Sequence, residues 1–244
     1  MTRLLDTHCH VDAYPDPRQV LRDADAAGVD VVAVTETPDA YRRLRTRLGR
    51  TGGVQVALGL HPASAAAGAP GQLQRFFRLL PDAAWVGEVG LDHRPGTDRR
   101  EKARQTALLR SVLDHELART RPMTVHSRGA ARETVALLSA APCRAVLHWY
   151  TGPAGVADDA LPAGLRFSVN TAMTRSASGR ALIARLPVDR VLCETDGPYC
   201  RSGTRAAVPG DLPAVVRYLA DTWSADVAAA TETLAANARA LLVL

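Results

Sequence analysis

Eight times along this chain a short, nearly continuous apolar run gives way to a longer stretch with helical periodicity. The runs are 4–8, 29–35, 54–60, 84–91, 122–127, 143–149, 166–172 and 190–196. The helical patterns lie at 17–27, 39–49, 71–80, 98–120, 129–140, 154–161, 176–186 and 211–222. A further pattern over 225–242 reads as one more helix, with Ser224 or Asp226 as its cap. Apolar runs without alternation mark strands buried on both faces, as in a parallel sheet covered by helices. Eight such units predict closure into an α/β (β/α)8 TIM barrel, typically about 250 residues long. The chain has 244. The Pro- and Gly-rich pieces at 62–71, 95–98 and 197–210 follow strands and are short, so they read as loops rather than linkers. One domain spanning 1–244 is therefore expected.

Composition excludes several classes. A hydrophobic share of 47% and a charged share of 23% belong to a globular chain, not a disordered one. Cys9, Cys143, Cys193 and Cys200 form no C-x-x-C pair, which argues against a structural zinc knuckle. No signal-type apolar segment and no run of 18 apolar residues occurs, so a cytoplasmic protein with reduced thiols and no membrane partner is expected. The net charge of +5 carries a weak pull toward polyanions. Arginine supplies nearly all of it, since Lys102 is the only lysine.

The ends of the apolar runs carry the chemistry. His8 and His10 close the first, His61 the third, His126 the fifth, His148 the sixth and Asp196 the eighth, while Glu88 lies late in the fourth. In such a barrel the active site is built from the C-terminal ends of the strands. Side chains at i and i+2 share a strand face, so His8 and His10 point the same way, with Asp6 below them. Imidazoles with two carboxylates suit one divalent ion, or two ions bridged by an acid. Glu88 is the natural bridge, and Asp196 the natural ligand and base for an attacking water. The plainer readings are a turn cap for Asp196 before Gly197-Pro198 and a buried ion pair for Glu88. Histidines at matching depth weigh against both. A carbamylated-lysine bridge is excluded because Lys102 falls in a helical stretch. His115 reads as an ordinary mid-helix residue, and His93 as a loop residue equally suited to substrate or solvent.

These residues sit in motifs that resemble a family. DTHCHVD at 6–12, GLHP at 59–62, GEVGLD at 87–92, HSR at 126–128, HWYTG at 148–152, ETDGPY at 194–199 and NARALL at 237–242 together look like the TatD-type metal-dependent hydrolases of the amidohydrolase superfamily. The resemblance implies a deoxyribonuclease, a 3′–5′ exonuclease acting on single-stranded DNA or 3′ ends. It implies two divalent metal ions: His8 and His10 on one, His126 and His148 on the other, Glu88 bridging, and Asp196 completing the first while activating water. His61 and Arg128 match family positions near the phosphate. Mixed N/O ligation admits Zn²⁺ or Mn²⁺, with Mg²⁺ recruited by phosphate.

The chain departs from the family pattern at Trp149 and Tyr150, an aromatic pair suited to base stacking or to rim packing. Arg175 and Arg201 read as phosphate contacts or, in slight preference, as solvated loop charges. HCHVDAYPDP, AVTETP and GLDHRP look closer to the TatD-like nucleases of Qat anti-phage defence systems, which implies other proteins of a defence operon as partners. The alternative chemistry is a small-molecule amidohydrolase, a deacylase or lactonase using the same metal site.

Overall fold

The structure, a computed structural model, describes residues 2–67 and 71–242. Eight parallel strands follow one another in chain order around a closed barrel: β1 Leu4–Cys9, β2 Val29–Ala33, β3 Val54–Leu58, β4 Trp85–Gly90, β5 Pro122–His126, β6 Arg144–Leu147, β7 Arg166–Val169 and β8 Val191–Cys193. This is the (β/α)8 fold that the alternation predicts. The strands are mostly buried, β4 and β8 completely, while β3 is buried only at its C-terminal end. The helices are α1 Pro17–Ala26, α2 Pro38–Leu48, α3 Pro62–Ala67, α4 Gln72–Leu79, α5 Arg99–Asp114, α6 Glu116–Arg119, α7 Ala131–Ser139, α8 Ala154–Ala160, α9 Thr171–Arg175, α10 Ala177–Ile183, α11 Leu212–Thr222 and α12 Val227–Leu242.

Contacts group the chain into two compact units, Met1–Ala33, Arg50–Gln55 and Phe167–Leu244 in the first and Val34–Gly49 and Val56–Arg166 in the second. In the first unit α12 is held to the start of β8 by Asn237. Its buried amide donates to the carbonyls of Val188 and Val191, both at 2.8 Å. That gives the NARALL motif a physical role. Asn237→Ala strips two carbonyls of their donor, and we expect it to cost about 1–3 kcal/mol in urea unfolding. An unchanged midpoint would show that water replaces the amide. Asp226 caps α12 through Ala229 N at 2.7 Å, one of the two caps foreseen.

Several elements end or begin where local pattern did not place them. The run at 166–172 leaves the sheet at Val169 because the Asn170 side chain caps α9, accepting from Ala172 N and Met173 N at 3.0 and 3.1 Å. Ser176 then starts α10 by accepting from Gly179 N, so the helix expected at 176–186 is the shorter Ala177–Ile183, and α9 precedes it, beginning inside the run expected as strand. The pattern at 98–120 breaks at His115, whose extended backbone lets its ring stack on Phe77 with centroids 4.6 Å apart. His115 is therefore a hinge between α5 and α6 rather than a mid-helix residue. The loop expected at 62–71 contains α3, begun by Pro62 and continued by helix-favouring alanine, while 68–70 lie outside the described residues. The loop at 197–210 holds an antiparallel hairpin, β9 Arg201–Ser202 with β10 Arg205–Ala206.

Candidate metal centre

His8 lies within β1, and His10 one residue beyond it. Their Nε2 atoms are 3.2 Å apart, and each is 3.6 Å from Asp196 Oδ1. All three residues are buried. Ligands about 2.0–2.1 Å from a tetrahedral ion sit roughly 3.4 Å from one another. The three atoms thus form a nearly regular triangle of the size of one tetrahedral face, and the donor set fits a divalent ion. Asp196 is not part of a strand. It follows β8 with φ 47°, its amide donating to His8 O at 2.8 Å, so the chain turns out of the pleat while still bonded to β1.

Beneath this triangle lies Asp6, fully buried. Its Oδ1 accepts from the amides of His8 (3.2 Å) and Thr195 (3.0 Å), and its Oδ2 accepts the Thr195 hydroxyl at 2.5 Å. Burial pushes this carboxyl up to about 7 against the pull of those bonds. Glu194, also fully buried, accepts the Ser168 hydroxyl and the Asn170 amide. At the rim the ring of Tyr199, 57% exposed, meets His10 edge to face at 4.8 Å.

The second unit holds a tighter set. Glu88 Oε1 is 2.6 Å from His126 Nδ1 and 2.7 Å from His148 Nε2, and those two nitrogens are 3.2 Å apart. His61 Nε2 stands 3.8 Å from the same carboxylate oxygen. Asp92 Oδ2 lies 3.6 Å from His126 Nε2. Burial lowers the His126 pKa, but the charges of Glu88 and Asp92 and their hydrogen bonds prevail and push it up to about 9. Burial raises Asp92, and the hydrogen bond and charge of His126 outweigh that to leave it lowered. A field that holds a proton on an imidazole equally favours a divalent cation. The atoms of Glu88, His126 and His148, and separately those of His61, Asp92 and His126, lie within 4.8 Å of one another, close enough to ligate.

β4 reaches His126 closely because Gly90 faces it in the ladder. A Cβ on Gly90, which has φ 135°, would stand 2.0 Å from His126 O. Only glycine permits that approach.

The expected residues therefore gather in two sets: His8, His10 and Asp196 in one unit, and His61, Glu88, His126 and His148 in the other. Arg128 is exposed, and its side chain makes no hydrogen bond or ion pair among the described residues. Two carboxylates escaped the sequence reading, Asp92 and Glu194. Asp92 is four residues on from Glu88, and Glu194 two residues before Asp196. Both lie just past the ends of their strands, within the motifs GEVGLD and ETDGPY, which is the signal that could have found them. Tyr150 is no stacking platform: it is buried, and its hydroxyl donates to Pro153 O at 2.9 Å. Trp149 is half-buried, and among the described residues Tyr199 is an exposed aromatic ring. Arg175 donates to Arg201 O at 2.7 Å, which ties it into the β7–β8 loops.

Residues 5–243 match the family of TatD related DNases. The chain belongs to the TatD family. Among TatD-type relatives, the metal-dependent hydrolase YcfH of Escherichia coli K12, itself uncharacterized, is 31% identical, covering 95% of this chain and 91% of YcfH. Human deoxyribonuclease TATDN3 is 33% identical over 80% of this chain and 78% of its own length. The crystal structure of the TatD homologue YJJV from E. coli K12 superposes with a TM-score of 0.87 at 26% identity, covering 98% of both chains. As a TatD-family member the chain is a metal-dependent hydrolase acting on ester bonds. Among the described residues no helix is long and apolar enough to cross a membrane.

Proposed function

We propose that this TatD-family protein is a divalent-metal-dependent deoxyribonuclease that removes nucleotides from DNA 3′ ends. The observation that carries the reading is the pair of carboxylate–imidazole triangles, one of them with the edge lengths of a tetrahedral metal face. His8, His10 and Asp196 would hold one ion, and Glu88, His126 and His148 a second. Divalent ions held there supply positive charge against phosphoryl oxygens and make water acidic enough to attack near neutral pH.

The side chains divide the remaining work. Asp196 accepts the proton of the attacking water on its second carboxylate oxygen, since Oδ1 faces His8 and His10. Arg128, exposed and uncommitted, forks onto a phosphate, with His61 beside Glu88 as a second donor. Tyr199 offers its exposed ring to the terminal base. Native function lies in the cytoplasm, within an anti-phage defence operon. The support for that is the likeness of HCHVDAYPDP, AVTETP and GLDHRP to the Qat nucleases.

Purified protein supplied with Mn²⁺, Mg²⁺ or Zn²⁺ is expected to release mononucleotides from 3′-labelled single-stranded DNA and to hydrolyse bis(p-nitrophenyl) phosphate. Turnover of an amide or lactone with no release from DNA would instead identify an amidohydrolase. Loss of phage protection on deleting the gene from its operon tests the defence role.

A further inference from the structure

α5 carries a line of polar residues on one face. Arg99, Lys102, Thr106 and Arg110 are spaced by three and four residues, so they share a helix side over about 16 Å at 1.5 Å per residue. With His93 and Glu133 they line a cleft of about 490 Å³. A second cleft, of about 630 Å³, shares His93 and Glu133 and runs along 129–133 and 151–153, the segments that follow His126 and His148. The side chains of Arg99, Lys102 and Arg110 have no partner among the described residues. Three positive side chains thus line the cleft with one carboxylate, which already accepts the Thr106 hydroxyl at 2.6 Å.

His93 stands where the two clefts meet. Its side chain is only 9% exposed and lies 3.9 Å from Glu133 Oε2, yet its Nε2 has no hydrogen-bond partner among the described residues. The backbone there is held to the segments around His126 and to α5. His93 N donates to Arg128 O at 2.8 Å. Asp92 N donates to Gln105 on α5 at 2.8 Å, while its carboxylate faces His126. Gly129 passes so close that a Cβ there would be 2.4 Å from His93 O. The cleft is therefore a fixed continuation of the ligand-bearing segments rather than an unrelated surface.

We propose that Arg99, Lys102, Arg110 and His93 form a second phosphate-binding subsite, which holds the DNA strand upstream of the nucleotide being removed. This deepens the nuclease reading and rests on it. The chemistry suits a chain of phosphates. Cations along about 16 Å of one helix face match several nucleotides of a stacked strand at roughly 3.4 Å per nucleotide. The guanidinium groups can bond phosphate in pairs, and His93 supplies a donor that nothing else uses.

The test is fluorescence anisotropy with a fluorescein-labelled single-stranded DNA at about 50 to 200 mM salt. Two variants carry equal charge: Arg99→Gln/Lys102→Gln/Arg110→Gln, and a control, Arg42→Gln/Arg43→Gln/Arg78→Gln, from exposed positions on α2 and α4. Each lost phosphate contact lowers the log–log salt slope by about 0.7, so the first variant is expected to lose about 2 from its slope and to bind about 10-fold more weakly at low salt. The control keeps the wild-type slope. Equal slopes in both variants, a loss shared by both, or no binding by the wild type would overturn the subsite. The parent reading is judged separately, by wild-type hydrolysis of bis(p-nitrophenyl) phosphate and labelled DNA. A wild type that hydrolyses both while the first variant binds normally overturns the subsite alone.

Discussion

Glu88→Gln is expected to empty the second ligand set and lower DNA hydrolysis by more than 100-fold. Removing mere outer partners of a metal site costs about 10–100-fold, and Glu88 is at the centre of this one. Its Oε1 is within 2.7 Å of ring nitrogens from both His126 and His148, with His61 at 3.8 Å. The amide keeps the shape but loses the negative charge that offsets a divalent cation. His126→Ala removes the other half of the same pairing and should do the same. Metal content after dialysis is the direct readout: wild type retains two ions per chain and each variant fewer. A second readout is thermal. A ligand at 100 times its Kd stabilises by about 2.7 kcal/mol, so the metal-dependent rise in Tm should shrink in both variants while the metal-free Tm moves little. Full metal content with full turnover in either variant would remove Glu88 and His126 from the mechanism.

Asp6→Ala is expected to destabilise the chain by about 3 kcal/mol or more. The fully buried carboxylate satisfies the amides of His8 and Thr195 and the Thr195 hydroxyl. Each orphaned buried donor costs about 1–3 kcal/mol. Asp6→Asn separates the hydrogen bonds from the charge. Its carbonyl oxygen can still accept from both amides, and the Thr195 hydroxyl can turn to accept from the new amide. Because burial already raises the Asp6 carboxyl to about 7, a neutral group suits the position. The asparagine variant should therefore unfold within about 1 kcal/mol of wild type. The two amides belong to His8 and to the residue before Asp196, so metal affinity should fall with Asp6→Ala and return with Asp6→Asn. Equal urea midpoints for alanine and asparagine would show that these bonds do not hold the two segments.

Much of this was legible in the chain because the relevant periods are local. A strand buried on both faces reads as an unbroken apolar run, and a covering helix repeats near 3.6 residues, so all eight strands could be placed. Seven of the eight C-terminal limits were placed too far along, β1 alone running one residue past its expected end, and the reason is specific. Capping is a side-chain choice that competes with the ladder, as Asn170 shows by ending β7 to begin α9. The same competition hid the break at His115, which trades helix for a stack on Phe77. For the pair Trp149 and Tyr150, weighed between base stacking and packing, burial and a bond to Pro153 give Tyr150 to packing, while Tyr199 is exposed.

By itself the sequence determined the alternation of strand and helix, the barrel it implies, and the residue types that end its strands. Only the tertiary structure decided the distances. His8 and His10 share a face by strand geometry, but Asp196 comes within 3.6 Å of both because its amide bonds to His8 O. Thr195 is locked beside it by Asp6, 189 positions earlier. Asp92 joins His126 only because β4 and β5 lie side by side with Gly90 between them. Such contacts have no local period. They arise when strands distant in the chain hydrogen-bond in one register, and that register places metal-ligand atoms to a fraction of an ångström.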